Sequence, residues 1–350
     1  MLILGIETSC DETSAAVVEE TLEAERPWAI RSNVIASQAP IHREWGGVVP
    51  ELASRQHIRD ICGVVERALD QARAGWPDLG AIAVTQGPGL VGSLLVGVSF
   101  AKAAAAAANL PLVAVHHLAG HIESLVLQNG ELPLPAVVLV VSGGHTSLYL
   151  VERPGAYQLL SRTRDDAAGE AYDKVAKLLG LGYPGGPVID RLARNGNDRA
   201  IKLPTTRLTH ADRNAPELKG DLDFSFSGLK TAVLRHVRQK SEGSNWSERE
   251  IADICASFQR IVVTALIERT FAAVRRFQAR SVGIAGGVSA NSRLRADFKA
   301  HGDAREIPTF VPSLQLSTDN AAMIAAAGLR KFRAGITAPF DLNADAALAL

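Results

Sequence analysis

The chemistry in this sequence starts with its histidines. His116-His117-Leu118-Ala119-Gly120-His121 sets His117 and His121 four positions apart. On a helix, residues at that spacing share one face, with Cβ atoms about 5–6 Å apart. Two imidazoles so placed can grip one divalent cation, because neutral imidazole is the commonest metal ligand among side chains. Two surface histidines on an amphipathic helix would show the same spacing. The residue after His117 is Leu118, so the general base of the His-Glu-x-x-His proteases is missing. A third ligand must come from elsewhere in the chain. Asp319, in Ser317-Thr318-Asp319-Asn320, is the candidate, although its place at a helix start is equally that of an N-cap.

A second group of residues suits anions and hydroxyls. Ser142-Gly143-Gly144-His145-Thr146 follows the aliphatic run Ala136 to Val141. Glycines there let backbone approach a ligand closely, and amides and hydroxyls bind phosphate oxygens. An ordinary glycine-rich hairpin turn has the same composition. Gly286-Gly287, just before Asn291, is a similar device: helix N-termini favour anions, and a glycine-flanked entrance accommodates an adenosine. Asp173 and Asp190 flank Tyr183-Pro184-Gly185-Gly186-Pro187. They can hold ribose hydroxyls across a Gly-Gly turn, or they mark a helix, its stop and the next cap. Asp11 and Glu12 sit in a polar turn near the N-terminus, placed either to take a proton or to solvate the tip. Gly46 to Glu51 and Phe224 to Lys230 are distinctive strings without a spacing argument.

The elements that must position these groups alternate between strand and helix. Leu2 to Glu7 and Ser14 to Glu19 read as a hairpin around the turn Thr8 to Thr13. Ala136 to Val141 and Ser147 to Val151 read as another, and both close in Val-Glu, which points to an internal duplication. Strand-then-helix units follow at Ile82 to Thr85 with a helix through Ala108. Others lie at Pro111 to Val115 with a helix from about His116 to Leu127, and at Ser281 to Ala285 with a helix opened by Gly286 to Asn291. A last helix spans about Asp319 to Ala334, and Leu203 to Gly228 reads mostly as loop. The expected class is α/β with mixed sheets.

The 350 residues are 47% hydrophobic, enough for two cores. No segment approaches the ~20 apolar residues of a membrane span, and Met1-Leu2-Ile3-Leu4-Gly5 lacks the basic start of a signal peptide. Three scattered cysteines exclude a disulfide framework, so a cytoplasmic location is expected. Basic and acidic residues balance at 37 each, without the excess of an independent nucleic-acid binder. Contacts to nucleic acid would come from local clusters, such as Arg235 to Lys240 or Arg330 to Arg333, or from a partner. Each cluster also reads as a solvated helix face.

Taken in order, Gly5-Ile6-Glu7-Thr8-Ser9-Cys10-Asp11-Glu12, Gly46 to Arg55, Gln86-Gly87-Pro88-Gly89-Leu90, His117 with His121, Ser142 to Thr146, Gly286 to Asn291 and Thr318-Asp319-Asn320 resemble the TsaD family along essentially the whole chain. These are the tRNA N6-adenosine threonylcarbamoyltransferases. Val115-His116-His117 is similar to the bacterial branch. The resemblance implies an actin/sugar-kinase/Hsp70-like fold with duplicated lobes. It puts one lobe at 1–132, completed by 311–350, the other at 133–310, and the active site in the cleft between them. It implies iron(II), with zinc(II) as the alternative, on His117, His121 and Asp319. It implies a cradle for threonylcarbamoyl-AMP formed by Val140, Val141, Ser142, Gly143, Gly144, Asp173, Gly186, Asp190 and Asn291. The implied partners are tRNA, TsaB, TsaE and a synthase that supplies the adenylate. The product would be threonylcarbamoyladenosine beside the anticodon of tRNAs reading codons that begin with A, with AMP released. A zinc protease, an ATP-binding regulator and a small-molecule kinase are rival readings. The missing Glu counts against the first, and the His pair with Asp319 against the other two.

Overall fold

The structure, a computed structural model, describes residues 1–205, 208, 220–239 and 246–350. Much of the expected loop from Leu203 to Gly228 and the Lys240 end of one basic cluster lie outside the described residues. The strands are β1 (Leu2–Glu7), β2 (Glu12–Glu20), β3 (Trp28–Ser37), β4 (Leu79–Gly87), β5 (Leu112–His116), β6 (Ala136–Val141), β7 (Thr146–Arg153), β8 (Ala156–Arg162), β9 (Ser281–Ala285) and β10 (Thr309–Phe310). The helices are α1 (Ala39–His42), α2 (Pro50–Ala72), α3 (Val91–Ala108), α4 (His117–Asn129), α5 (Ala168–Leu178), α6 (Gly185–Ala193), α7 (Ser227–Arg238), α8 (Glu248–Arg276), α9 (Ser292–Asp303), α10 (Leu314–Ser317) and α11 (Ala321–Arg333).

Two compact units divide the chain. One comprises Met1–Pro133, Glu152–Tyr157 and Pro312–Leu350, the other Leu134–Val151 and Gln158–Val311. Each holds a five-stranded sheet, in the orders β3-β2-β1-β4-β5 and β10-β9-β6-β7-β8. The plan is the same twice: a hairpin whose first strand is central, a third strand beyond its second, and two parallel strands on the other side. The faint sequence duplication is thus a duplication of topology. Strands β5 and β6 are buried throughout, which is why they read as unbroken apolar runs rather than alternating ones.

In the first unit the sheet is covered on both faces. Leu4, Ile6, Val17, Ile82 and Val84 meet α2 and α3 on one side, while Ile3, Ala81, Val113 and the buried face of α11 form the core on the other. Helix α3 is 18 residues long and, by length and composition, apolar enough to cross a membrane, which corrects the expectation that no segment comes near that. Here Leu94, Val98 and Ala101 are buried in the core beside α2 and β4.

Two glycines let α11 sit close. A Cβ on Gly5 would lie 2.3 Å from the Ala321 carbonyl oxygen and 2.7 Å from the Ala325 nitrogen. One on Gly120 would lie 2.8 Å from Ile324 Cδ1. Backbone cannot yield as a flexible side chain can, so Gly5 is what brings β1 against α11, whereas at Gly120 the nearest atoms are side-chain ends on α11. In the second unit α8 begins with a capping box, Ser247 with Glu250, and packs against β6, α6 and α9. The expected helix after β9 is interrupted. Gly287–Ala290 forms a 3-10 turn, and the α-helix starts after Asn291, whose Oδ1 accepts from the Leu294 amide 2.9 Å away.

Candidate functional site

His116 ends β5 and caps α4, so His117 and His121 occupy the first two turns of that helix. Their rings meet edge to face, with centroids 4.7 Å apart. Asp319 approaches from the segment between α10 and α11. Its Oδ1 lies 3.1 Å from His121 Nε2 and 3.6 Å from His117 Nε2. One ligand atom from each residue falls within 4.8 Å of the others. The capping role open to Asp319 on sequence belongs to its neighbour: Asn320 Oδ1 accepts from the Met323 amide. Asp319 is therefore not spent on the helix.

Whether these three residues suit a metal can be tested on the side chains themselves. His121 is fully buried, and among the described residues neither ring nitrogen makes a hydrogen bond, Nε2 having only the ion-pair contact to Asp319. A buried polar atom without a partner costs about 1–3 kcal/mol, which a coordinated cation removes. The charge around the pair is also one-sided. Burial opposes protonation of His117, yet Asp319 and Glu7 overcome it and hold the imidazole up to about 9. The surroundings call for positive charge, and a divalent cation on two imidazoles and a carboxylate supplies it.

Glu7 stands in the first of the family motifs, but sequence reading assigns it no role. It ends β1, is fully buried, and places Oε2 3.0 Å from His117 Nδ1. Burial alone would raise its carboxyl, but the net position is below the ordinary value because His117 lies against it. The legible signal was a carboxylate at the end of an apolar strand, since a buried charge needs a partner. Asp11 and Glu12 follow in the same turn. Burial first, then Asp11 and Asp319, push the Glu12 carboxyl well above its usual range. His57 steadies this turn, its Nε2 donating to the Cys10 carbonyl at 2.9 Å while Nδ1 meets the Thr13 hydroxyl at 2.8 Å.

His116 carries a stability prediction. Its Nδ1 accepts from the Leu118 amide and its Nε2 donates to the Leu348 carbonyl, so the ring must be neutral. Burial pushes its pKa down from 6.5 to about 4. A lowered imidazole contributes stability that is present above 6.5 and lost as pH falls toward 4. Between pH 7 and 4.5 that amounts to roughly 2–3 kcal/mol. Urea unfolding should show the wild-type protein losing that much more stability than His116→Asn over this range. Parallel losses in the two proteins would refute it.

The second unit gathers the remaining expected residues in three places. Val140 and Val141 end β6, and the Ser142 turn is closed by its own amide bonding to the His145 carbonyl at 2.8 Å. The Gly169 amide, at the start of α5, donates to the Ser142 carbonyl. Asp173 Oδ1 accepts from the Gly185 amide at 2.7 Å, anchoring the turn that carries Gly186. Asp190 and Asn291 meet through Gln259, which donates to Asp190 Oδ1 at 3.2 Å and accepts from Asn291 Nδ2 at 2.8 Å. Ser292 bonds Asp190 through both amide and hydroxyl. Gln259, inside the long α8, and Ser292, the first residue of α9, escaped sequence reading, because neither carries a spacing signal. Gly143, Gly144 and Gly186 have open space where a Cβ would stand, and none has a positive φ. The fold itself does not require glycine there, so the room is available to a ligand.

Two units on one plan, one of them bearing a His/His/Asp group, define an α/β protein of the actin/sugar-kinase/Hsp70-like class. Solved structures agree on the fold. Component A of (R)-2-hydroxyglutaryl-CoA dehydratase from Acidaminococcus fermentans aligns over 95% of this chain and 98% of its own, at TM-score 0.52 and 14% identity. Full-length HypF aligns over 95% of this chain and 55% of its own, at TM-score 0.57 and 12% identity. Sequence goes further. The family model for tRNA N6-adenosine threonylcarbamoyltransferase, TsaD, matches residues 29–326. Enzymes of that name from Anaeromyxobacter sp. (strain Fw109-5) and Moorella thermoacetica are 52% and 49% identical, covering 99% and 98% of this chain and 99% and 95% of their own. The chain belongs to the tRNA N6-adenosine threonylcarbamoyltransferase family, transferases that modify tRNA.

Proposed function

We propose that the chain moves the threonylcarbamoyl group from threonylcarbamoyl-AMP to N6 of the adenosine adjacent to the anticodon, in tRNAs reading codons that begin with A. A bond forms between N6 and the carbamoyl carbon, the bond from that carbon to the phosphate oxygen breaks with its electron pair, AMP leaves, and the amine loses one proton. The observation that carries this reading is the convergence of His117, His121 and Asp319 in a chain that matches 99% of the length of a family member.

His117, His121 and Asp319 would hold iron(II) or zinc(II). Bound there, the ion supplies a Lewis acid and a template for a substrate oxygen. Adenine N6 is a weak nucleophile, so the chain must orient it and activate the acyl donor. The Gly143 and Gly144 amides bind the developing charge on carbonyl or phosphate oxygen. Asp11 or Glu12, in the turn after β1, would take the amine proton. Asp173, Asp190 and Asn291 hold the nucleotide part. Asp190 accepts four hydrogen bonds already, and the one from the exposed Arg194, at 3.3 Å, is the one a ribose hydroxyl would replace.

A balanced charge gives weak, salt-dependent attraction to the tRNA backbone, so TsaB and TsaE complete the tRNA-handling assembly in the cytoplasm, and a separate synthase supplies the adenylate. The test combines protein, TsaB, TsaE, threonylcarbamoyl-AMP and unmodified tRNA, followed by nucleoside digestion. Threonylcarbamoyladenosine is expected, and its absence from the complete mixture sinks the reading. Gly144→Ala checks the cradle separately. Stability should hold or rise by about 0.4–1 kcal/mol, because the backbone needs no glycine there. Calorimetry should nevertheless show weaker adenylate binding, and unchanged binding would place the substrate elsewhere.

A further inference from the structure

We infer that Glu7 is the positioning residue of the metal centre: its carboxylate fixes the His117 tautomer that presents Nε2 to the ion. The inference rests on the metal reading above. Three donors converge on this buried side chain. Oε1 accepts from the Ser9 amide, and Oε2 accepts from the Thr85 hydroxyl at 2.8 Å and lies 3.0 Å from His117 Nδ1. An ionised carboxylate only accepts, so Nδ1 must carry the proton. Once an ion takes the place of the second proton, the lone pair of His117 is on Nε2, the nitrogen on the side of Asp319, 3.6 Å away. Ser9 reinforces the arrangement with its hydroxyl 3.2 Å from Nδ1.

Amide cannot replace carboxylate here. If the side chain of the Glu7→Gln variant kept its oxygen toward His117 and Thr85, its NH2 would face the Ser9 amide, donor against donor. With the amide flipped, the NH2 would face Nδ1 and drive the ring proton to Nε2, blocking the ligand nitrogen. Thr85 belongs to β4 and Ser9 to the turn after β1, so the tautomer is set by two elements packed beside each other in the sheet.

The experiment measures cobalt(II) affinity by chelator competition, with the ligand-field absorption as a second readout, in the wild-type chain, Glu7→Gln and His121→Ala. Glu7→Gln should bind about 10–100-fold more weakly with an altered spectrum, and His121→Ala should not bind tightly. Wild-type affinity and spectrum in Glu7→Gln overturn the inference and leave the metal reading intact. A wild-type chain that takes up no cobalt or zinc overturns both. Nitrogen-15 spectra of the zinc-loaded wild-type protein decide the matter even if Glu7→Gln fails to fold. His117 should show a protonated Nδ1 and a metal-bound Nε2, and metal on Nδ1 overturns the inference.

Discussion

Replacing His121 by alanine should strip the divalent metal and lower threonylcarbamoyl transfer by orders of magnitude. His121 is the most buried of the three residues; among the described residues its Nδ1 has no hydrogen-bond partner, and its Nε2 faces only the Asp319 carboxylate, 3.1 Å away. Removing His121 leaves one imidazole and one carboxylate, too few for tight four-coordinate binding. The ion also stabilises the folded state by mass action, so wild-type protein should melt higher with metal than without, and the variant should show no such gap. Elemental analysis with single-turnover transfer measures both parts. A full equivalent of tightly held metal in His121→Ala would mean that the site lies elsewhere.

The second large effect is expected at Arg330, which ties α11 to α4, the helix of His117 and His121. Arg330 on α11 forms a two-pronged pair with Glu123 on α4, at 2.7 and 2.9 Å, and reaches Glu131 at 2.9 Å. Its guanidinium lies 5.5 Å from the centre of the Trp28 ring, and the Tyr157 hydroxyl donates to Glu123. Glu123 is almost wholly buried. Arg330→Ala would strand that charge, at a cost of about 3–5 kcal/mol. Replacing both partners, as Arg330→Met with Glu123→Leu, should recover much of the loss, because the buried charge goes and only the partly exposed Glu131 loses a partner. Chemical denaturation of the three proteins measures this. A loss under about 1 kcal/mol in Arg330→Ala would show the pair to be as weak as a surface ion pair. One arginine of the Arg330 to Arg333 cluster is thereby committed to the interior, and Arg333 pairs with Glu20, which leaves less of that cluster for tRNA than its composition implies.

What the sequence determined by itself was local. The spacing of His117 and His121 depends only on helix pitch, and the apolar runs of β1, β5 and β6 follow from burial on both faces. The two hairpins were visible because a strand, a polar turn and a returning strand are contiguous. Tertiary structure decided everything that joins distant segments. Asp319 and Asn320 are adjacent and equally able to cap a helix. Only the packing of α11 on β1, permitted by Gly5, and on α4 assigns the cap to Asn320 and turns Asp319 toward the histidines. Glu7 meets His117 because β1 and β5 flank β4, a pairing that no periodicity encodes. Gln259 joins Asp190 to Asn291 for the same reason. Side-chain periodicity reports which face of an element is buried. It carries no information about which buried face of another element will lie against it, and the chemistry of this chain depends on that second choice.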